Sequence, residues 1–479
     1  MSTLDAIRYE VVVGLEVHCE LRTETKLFCG CRNAFGDEPN TNVCPVCLGL
    51  PGSLPVLNRR AVEYAMRIGE ALHCQIRPSI FHRKNYFYPD MPKDYQVSQY
   101  DEPVNVDGWL ELPGATRVGI TRAHMEEDTG KSTHVGGGGR IGDSTHSLVD
   151  YNRAGVPLVE IVSEPDIRSA DEARAYVSEL RAILVATGAS DGKMEEGSLR
   201  VDANVSVRPA HTATFGTRCE IKNMNSLRSL GRAIDYEAAR QVEMLRAGER
   251  VVQETRHWNE DEGRTSSMRS KEEAFDYRYF PEPDLVPVVP DEAWREAVAA
   301  SLPALPGDRR RALAEAAGTE PASVALLVEL DLDALVLGAI SAGADARTAL
   351  NRAANEVAAD LDGAGRLSPA AFAKLVSMEV GGELTATQAK AVLAAMLAGE
   401  GDDPRAIAAG RGFEAMDVTA LEIVVDEVIA ANPGPWERFK AGDAKVAGMF
   451  VGQVMKRTQG KADGKVVNRI LGERAQAGA

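Results

Sequence analysis

The sequence predicts an α+β protein of several domains, and three observations carry that expectation. Short runs of alternating apolar and polar residues, rich in Gly, Pro, Asn and Asp at their ends, fill the chain up to about Pro290. From Asp291 to about Pro404 the composition turns to Ala, Leu and Glu, with helix start signals. A last segment with Gly-marked turns reads as a small helical module. At 479 residues the chain exceeds what one hydrophobic core serves, and the expected domains are residues 1–292, 293–405 and 406–479.

Taken in order, the opening "MSTLDAIRYEVVVGL" holds only a five-residue apolar run, too short for a secretory h-region or a membrane span, so a cytoplasmic protein with no membrane partner is expected. Seven cysteines, an odd number, do not suit a disulfide framework. In "VGLEVHCEL" the residues Val13, Leu15, Val17, Cys19 and Leu21 alternate with Gly14, Glu16, His18 and Glu20, the period of a strand with one apolar face. Cys19 then faces the core, while Glu16, His18 and Glu20 share the other face at intervals of roughly 6.5 Å. Such hard donors suit Mg²⁺ better than zinc, although a solvated sheet face has the same pattern. Four further cysteines, Cys29-x-Cys31 and Cys44-x-x-Cys47, form two close pairs, as a structural tetrahedral zinc site requires.

The block "RKNYFYPDMPKDYQVSQYDEP" mixes Arg83 and Lys84 with the rings of Tyr86, Phe87 and Tyr88, which suits a nucleotide or RNA clamp as well as it suits a core corner. "HMEEDTGKST" contributes Glu126, Glu127 and Asp128. It ends like a P-loop but has Met125 where the first Gly is required, and its acids would repel phosphates. "HVGGGGRIGDS" from His134 reads as a flexible loop. "PLVEIVSEPD" places Glu160 and Glu164 inside apolar runs, where an unpaired carboxylate is costly. "SLRVDANVSVR" alternates strictly, with Leu199, Val201, Ala203, Val205 and Val207 opposite Arg200, Asp202, Asn204, Ser206 and Arg208. Farther on, Ser368 before Pro369 and the pair Thr385-x-x-Gln388 mark helix starts. Between Pro433 and Arg474 nine basic residues face four acids, in a chain whose net charge is −17. That reversal makes the tail the expected nucleic-acid contact.

The long motifs "VVGLEVHCEL", "RKNYFYPDMPKDYQVSQYDEP", "HMEEDTGKS", "LVDYNRAGVPLVEIVSEPDIRS", "KMEEGSLRVDANVSVR", "EIKNMNSLRSL" and "DYRYFPEPDLVP", with the tail "FVGQVMKRTQGKADGKVVNRIL", closely resemble the B-subunit family of the bacterial aspartyl/glutamyl-tRNA amidotransferases. The resemblance implies a glutamine synthetase-like catalytic domain with an antiparallel sheet as its floor. It implies ATP- and Mg²⁺-dependent phosphorylation of the side-chain carboxylate of Glu-tRNA(Gln) or Asp-tRNA(Asn). Ammonia would come from an amidase-type A subunit, in a heterotrimer with a small C subunit. By the same resemblance, Glu16, His18, Glu127 and Glu160 match the catalytic magnesium ligands, and Cys29, Cys31, Cys44 and Cys47 the structural zinc site that many members carry. Arg83, Lys84, Arg200 and Lys222, with Asp202 beside them, are the candidates for contact with ATP. The rival reading is a non-catalytic tRNA-binding scaffold, which leaves the strand acids without a purpose.

Overall fold

The computed structural model describes residues 8–114, 116–136, 144–270, 277–413, 418–441, 443–458, 462 and 464–477. The chain divides into two compact units, Met1–Gly307 and Asp308–Ala479.

The first unit is built on strands β1 (Tyr9–Glu20), β2 (Gln75–Ile76), β3 (Phe81–Asn85), β4 (Tyr95–Gln99), β5 (Asn105–Glu111), β6 (Arg117–Glu127), β7 (Lys131–Val135), β8 (His146–Asp150), β9 (Pro157–Ser163), β10 (Leu199–Pro209), β11 (Cys219–Met224), β12 (Glu254–Asn259), β13 (Arg264–Ser270) and β14 (Phe280–Pro281). Twelve of them join in one sheet whose main path runs β13-β12-β11-β10-β1-β9-β6-β4-β3-β14. Its pairs are antiparallel except β11 with β12. β7 and β8 form a separate hairpin. The expected Gly-rich loop falls largely between them, at positions 137–143, outside the described residues.

The period-two patterns in the sequence set the sheet's two faces. Leu15, Val17 and Cys19 of β1 and Leu199, Val201, Ala203 and Val205 of β10 are all at most 2% exposed, and each large apolar side chain so buried contributes about 1.5–3 kcal/mol. Three helices pack with that face into one core: α1 (Arg59–Ala71), α2 (Ala170–Ala186) and α3 (Leu227–Arg246). They correct the reading of the first 290 residues as strands and loops. In α1 and its C-cap the buried Ala61, Ala65, Ile68 and Leu72 recur at helical spacing, and Asn58 caps the start by accepting from the Arg60 and Ala61 N–H groups. Ser169 caps α2 and Ser226 caps α3 in the same way.

The second unit is helical and has two hydrophobic clusters. One gathers residues from Leu313 to Ala408 and the other from Leu421 to Leu471. Helix Glu292–Ala300 places Val298 in the sheet core instead. Ser368 caps the helix Pro369–Val380 with Pro369 in its first turn, and Thr385 with Gln388 forms a reciprocal capping box on Ala386–Ala398. Among the described residues no helix is long and apolar enough to cross a membrane.

Candidate functional site

The sheet's polar face is where buried charge collects. Register sets Arg200 of β10, His18 of β1, Glu160 of β9 and His124 of β6 side by side in one row across four strands. In the flanking rows Glu16 lies beside Asp202, and Glu126 beside Ser98 of β4. His18 Nε2 lies 3.5 Å from Glu160 and 3.8 Å from Glu126, and His124 Nε2 lies 3.4 Å from the same Glu160 oxygen. Donor atoms of His18, Glu126 and Glu160 fall within 4.8 Å of one another, and so do those of Glu16, Asp202 and Glu220.

The electrostatics follow from this crowding of acids in a dry setting. Burial works against a charge on His18, but the hydrogen bond and charge of Glu160, joined by Glu126, prevail and raise its pKa to about 9. Burial lowers His124 to about 4, leaving it neutral. Glu126 is raised by burial and by the charge of Glu160. Glu16 is raised by burial and again by Glu160, against an opposing hydrogen bond from Asn204 at 2.9 Å. Glu20 is pushed up to about 8, first by burial and then by Asp128. The face therefore attracts positive charge, which a proton on His18 supplies in the free chain.

Cations border these acids. Arg200 Nη2 is 2.9 Å from Asp128, and Lys222 Nζ is 2.7 Å from Asp202 and 3.1 Å from Glu220. Lys84 reaches over the Tyr277 ring at 4.8 Å and, despite burial, is held protonated chiefly by the charge of Glu126. A cleft of about 560 Å³ opens at the end of β1, lined by Glu20, Arg22, Arg32, Asp191 and Ser198 among others.

Two of the expected site residues lie apart from the others. Glu127 is not in the His18 cluster; Glu126 is. Strand alternation puts Glu127 with Ala123 and Met125 on the opposite side of β6, where it pairs with Lys93 and accepts the Val97 N–H at 2.8 Å. Arg83 likewise faces away from Lys84. It grips Glu282 through two bonds of 2.7 and 2.8 Å and stacks on Tyr95. Glu164 is exposed and accepts from Thr121 at 2.7 Å. His124 and Glu220 escaped the sequence reading, although the parity shared by His124 and Glu126 was a usable signal for the former.

The four cysteines converge as their spacing suggests. Cys47 Sγ lies 3.6 Å from Cys29, 3.8 Å from Cys44 and 3.8 Å from Cys31. A tetrahedral zinc ion with Zn–S bonds of about 2.3 Å sets its sulfurs about 3.8 Å apart, so these residues fit that ion. Cys47 is drawn down, first by a hydrogen bond from Cys29, against burial, and further by the Cys44 backbone and the charge of Lys26.

In the tail, basic residues of 433–477 meet acids of the preceding helix Val418–Ala431. Arg474 pairs with Asp426 and Glu422, and Arg457 with Glu427. From residue 418 to 477, nine basic residues face seven acids, a weaker excess than the tail shows alone.

These features define a class: a two-unit α+β protein whose mostly antiparallel sheet gathers hard donors that could hold a cation, with a separate cluster of four cysteines and a helical second unit. The chain belongs to the GatB family. The family model described as the GatB/GatE catalytic domain matches residues 11–296, and the GatB domain model matches 335–474. The chain is 53% identical over 484 residues to the B subunit of the aspartyl/glutamyl-tRNA(Asn/Gln) amidotransferase of Frankia casuarinae, covering 98% of this chain and 96% of that one. It is 51% identical to the corresponding chain of Mycobacterium sp. strain KMS, over 97% and 96% of the two chains. For that of Carboxydothermus hydrogenoformans the identity is 48%, over 97% and 98%.

Proposed function

We propose that this chain is the subunit of a glutamine-dependent tRNA amidotransferase that activates the side-chain carboxylate of Glu-tRNA(Gln), Asp-tRNA(Asn) or both by phosphorylation from ATP. The observation that carries this reading is the row of half-buried His18 and Glu160 and buried His124, with buried Glu126 beside it, bordered by Lys84, Arg200 and Lys222. Buried acids that crowd one another cost stability unless a cation completes them, and phosphoryl transfer needs such a floor. The antiparallel sheet as floor also supports the glutamine synthetase-like reading.

A carboxylate is a poor electrophile. Its oxygen attacks the γ-phosphorus of ATP, releasing ADP and leaving an acyl phosphate. Ammonia from a partner amidase subunit then adds to the carbonyl carbon and expels phosphate. Two carboxylates with one imidazole, at His18, Glu126 and Glu160, suit a hard divalent ion such as Mg²⁺, and Glu16, Asp202 and Glu220 form a second set of oxygen donors. Bound there, Mg²⁺ would neutralise charge on the transferring phosphoryl group. For its part, the chain orients the phosphates with Arg200, Lys222 and Lys84, whose charges need little rearrangement because neighbouring acids already hold them. Neutral His124 fixes the Glu160 carboxylate against His18. Cys29, Cys31, Cys44 and Cys47 would hold a structural Zn²⁺, and the tail from about Pro433 would contact the tRNA body.

The test is a transamidation assay on the chain with its partner subunits, supplied with each misacylated tRNA. The expected result is ATP consumption that requires the misacylated tRNA and matches amide formed. Amidation without ATP turnover would exclude the activating role.

A further inference from the structure

Lys26 is the buried cation that the polar face does not explain. Its side chain is 0% exposed. Burying an ammonium is costly unless an anion compensates. The other sequestered lysines of this region have carboxylates: Lys93 pairs with Glu127, and Lys84 lies in the field of Glu126. Among the described residues Lys26 meets no carboxylate. Its Nζ lies 3.6 Å from Cys47 Sγ and donates to the Tyr151 carbonyl at 3.2 Å. The rest of the residue is anchored to the same knuckle, because its backbone N–H donates to the Cys31 carbonyl at 3.0 Å.

The stem of Lys26 passes Gly155, whose φ of +85° favours glycine; a Cβ there would stand 3.6 Å from Lys26 Cδ. The turn at 151–155 therefore accepts the ammonium and lies alongside its stem. That turn continues into the sheet, since the Gly155 N–H donates to the Asp128 carbonyl and the Leu27 N–H to the Gly155 carbonyl, each at 2.9 Å.

We propose that Lys26 is the built-in counter-ion of a tetrathiolate metal centre at Cys29, Cys31, Cys44 and Cys47, donating to Cys47 and tying the centre to the turn at Tyr151. The inference rests on the zinc reading given above and adds to it a residue outside the cysteine motif. Four thiolates around one divalent ion leave a net charge of about −2. The ammonium of Lys26 offsets half of it from the buried side of the knuckle, where Lys26 and Cys47 are shielded from solvent and a nearby charge is felt strongly. Groups that hydrogen-bond to metal ligands set metal affinity by roughly 10- to 100-fold.

The test uses the purified full-length chain, stripped of metal and titrated with Co²⁺, whose sulfur-to-metal charge-transfer band reports thiolate ligation, and then with Zn²⁺ against a chromogenic chelator. Wild type is expected to bind one ion with the tetrathiolate spectrum. Lys26→Met keeps the volume and deletes the charge; its Zn²⁺ affinity should fall on the order of tenfold or more. Lys26→Arg, which keeps the charge, should stay nearer wild type and carries the comparison if Lys26→Met does not fold. In a Cys47→Ser background Lys26→Met should have a markedly smaller effect. Wild-type affinity in Lys26→Met, equal losses in the Met and Arg variants, or an undiminished loss in the Cys47→Ser background would each overturn the counter-ion role. A wild-type chain without the thiolate band would remove the zinc reading, and this inference with it.

Discussion

The polar face of the sheet and the cysteine knuckle each gather ligand atoms within bonding range of a single ion, yet they differ in what they leave over. The knuckle is a closed set: four soft donors at tetrahedral spacing, with Lys26 against one of them. The face is an open set: carboxylates and one imidazole in excess of what a single ion takes, with Lys84, Arg200 and Lys222 at its border. A closed set holds a fold together, and an open one has coordination positions for a substrate. The cost of burying charge can thus be met in two ways, internally or by a ligand that arrives later.

The largest expected effect comes from breaking the closed set. Removing metal with a chelator, or Cys44→Ser, should cost the first unit several kcal/mol and lower its melting temperature while sparing the chemistry of whatever remains folded; calorimetry with and without Zn²⁺ measures it. Next is Glu127→Gln, which leaves Lys93 buried without its partner. A loss of about 3–5 kcal/mol in stability is expected, seen as a shifted denaturant midpoint, with cation binding on the polar face retained. Smaller again is Lys84→Met, expected to lower the rate of ATP-dependent amidation on the order of 10²-fold with the fold intact by circular dichroism. The smallest effect belongs to the tail. Exposed Lys456, which has no ion pair among the described residues, should reduce the salt slope of tRNA binding by about one unit when changed to Ala. Arg474→Ala should change that slope less and destabilise the helices instead, because Arg474 already serves Asp426 and Glu422.

How much of this was legible depends on whether the information is local. The alternation in β1 and β10 gave the two faces, and the paired cysteine spacing gave the knuckle, because both are patterns within a few residues. The caps at Ser368 and Thr385 were equally local. What escaped was long-range or overlooked. His124 meets Glu160 only because β6 pairs with β9, 36 residues away in register, and no window shows that. The helices α1 to α3 were hidden by the strand-like stretches around them, although Ser169 with Glu172 three residues on is a capping signal. The family resemblance pointed to Glu127, whereas strand parity, with Met125 apolar and His124 polar, points to Glu126. The pairing of tail arginines with Glu422, Asp426 and Glu427 was invisible to a charge count that began at Pro433.

Under the proposed function the open face, at His18, Glu126 and Glu160, performs the ATP-dependent step, whereas Glu127 supports the sheet. The most direct measurement is ATP turnover stimulated by misacylated tRNA, in complexes carrying Glu126→Gln or Glu127→Gln, normalised to folded protein, with glutamine hydrolysis by the partner recorded in parallel. Glu126→Gln is expected to lose on the order of 10²- to 10³-fold, Glu127→Gln far less per folded molecule, and glutamine hydrolysis should remain measurable in both. Full ATP turnover in the Glu126→Gln complex, or its selective loss in Glu127→Gln alone, would contradict that division of roles.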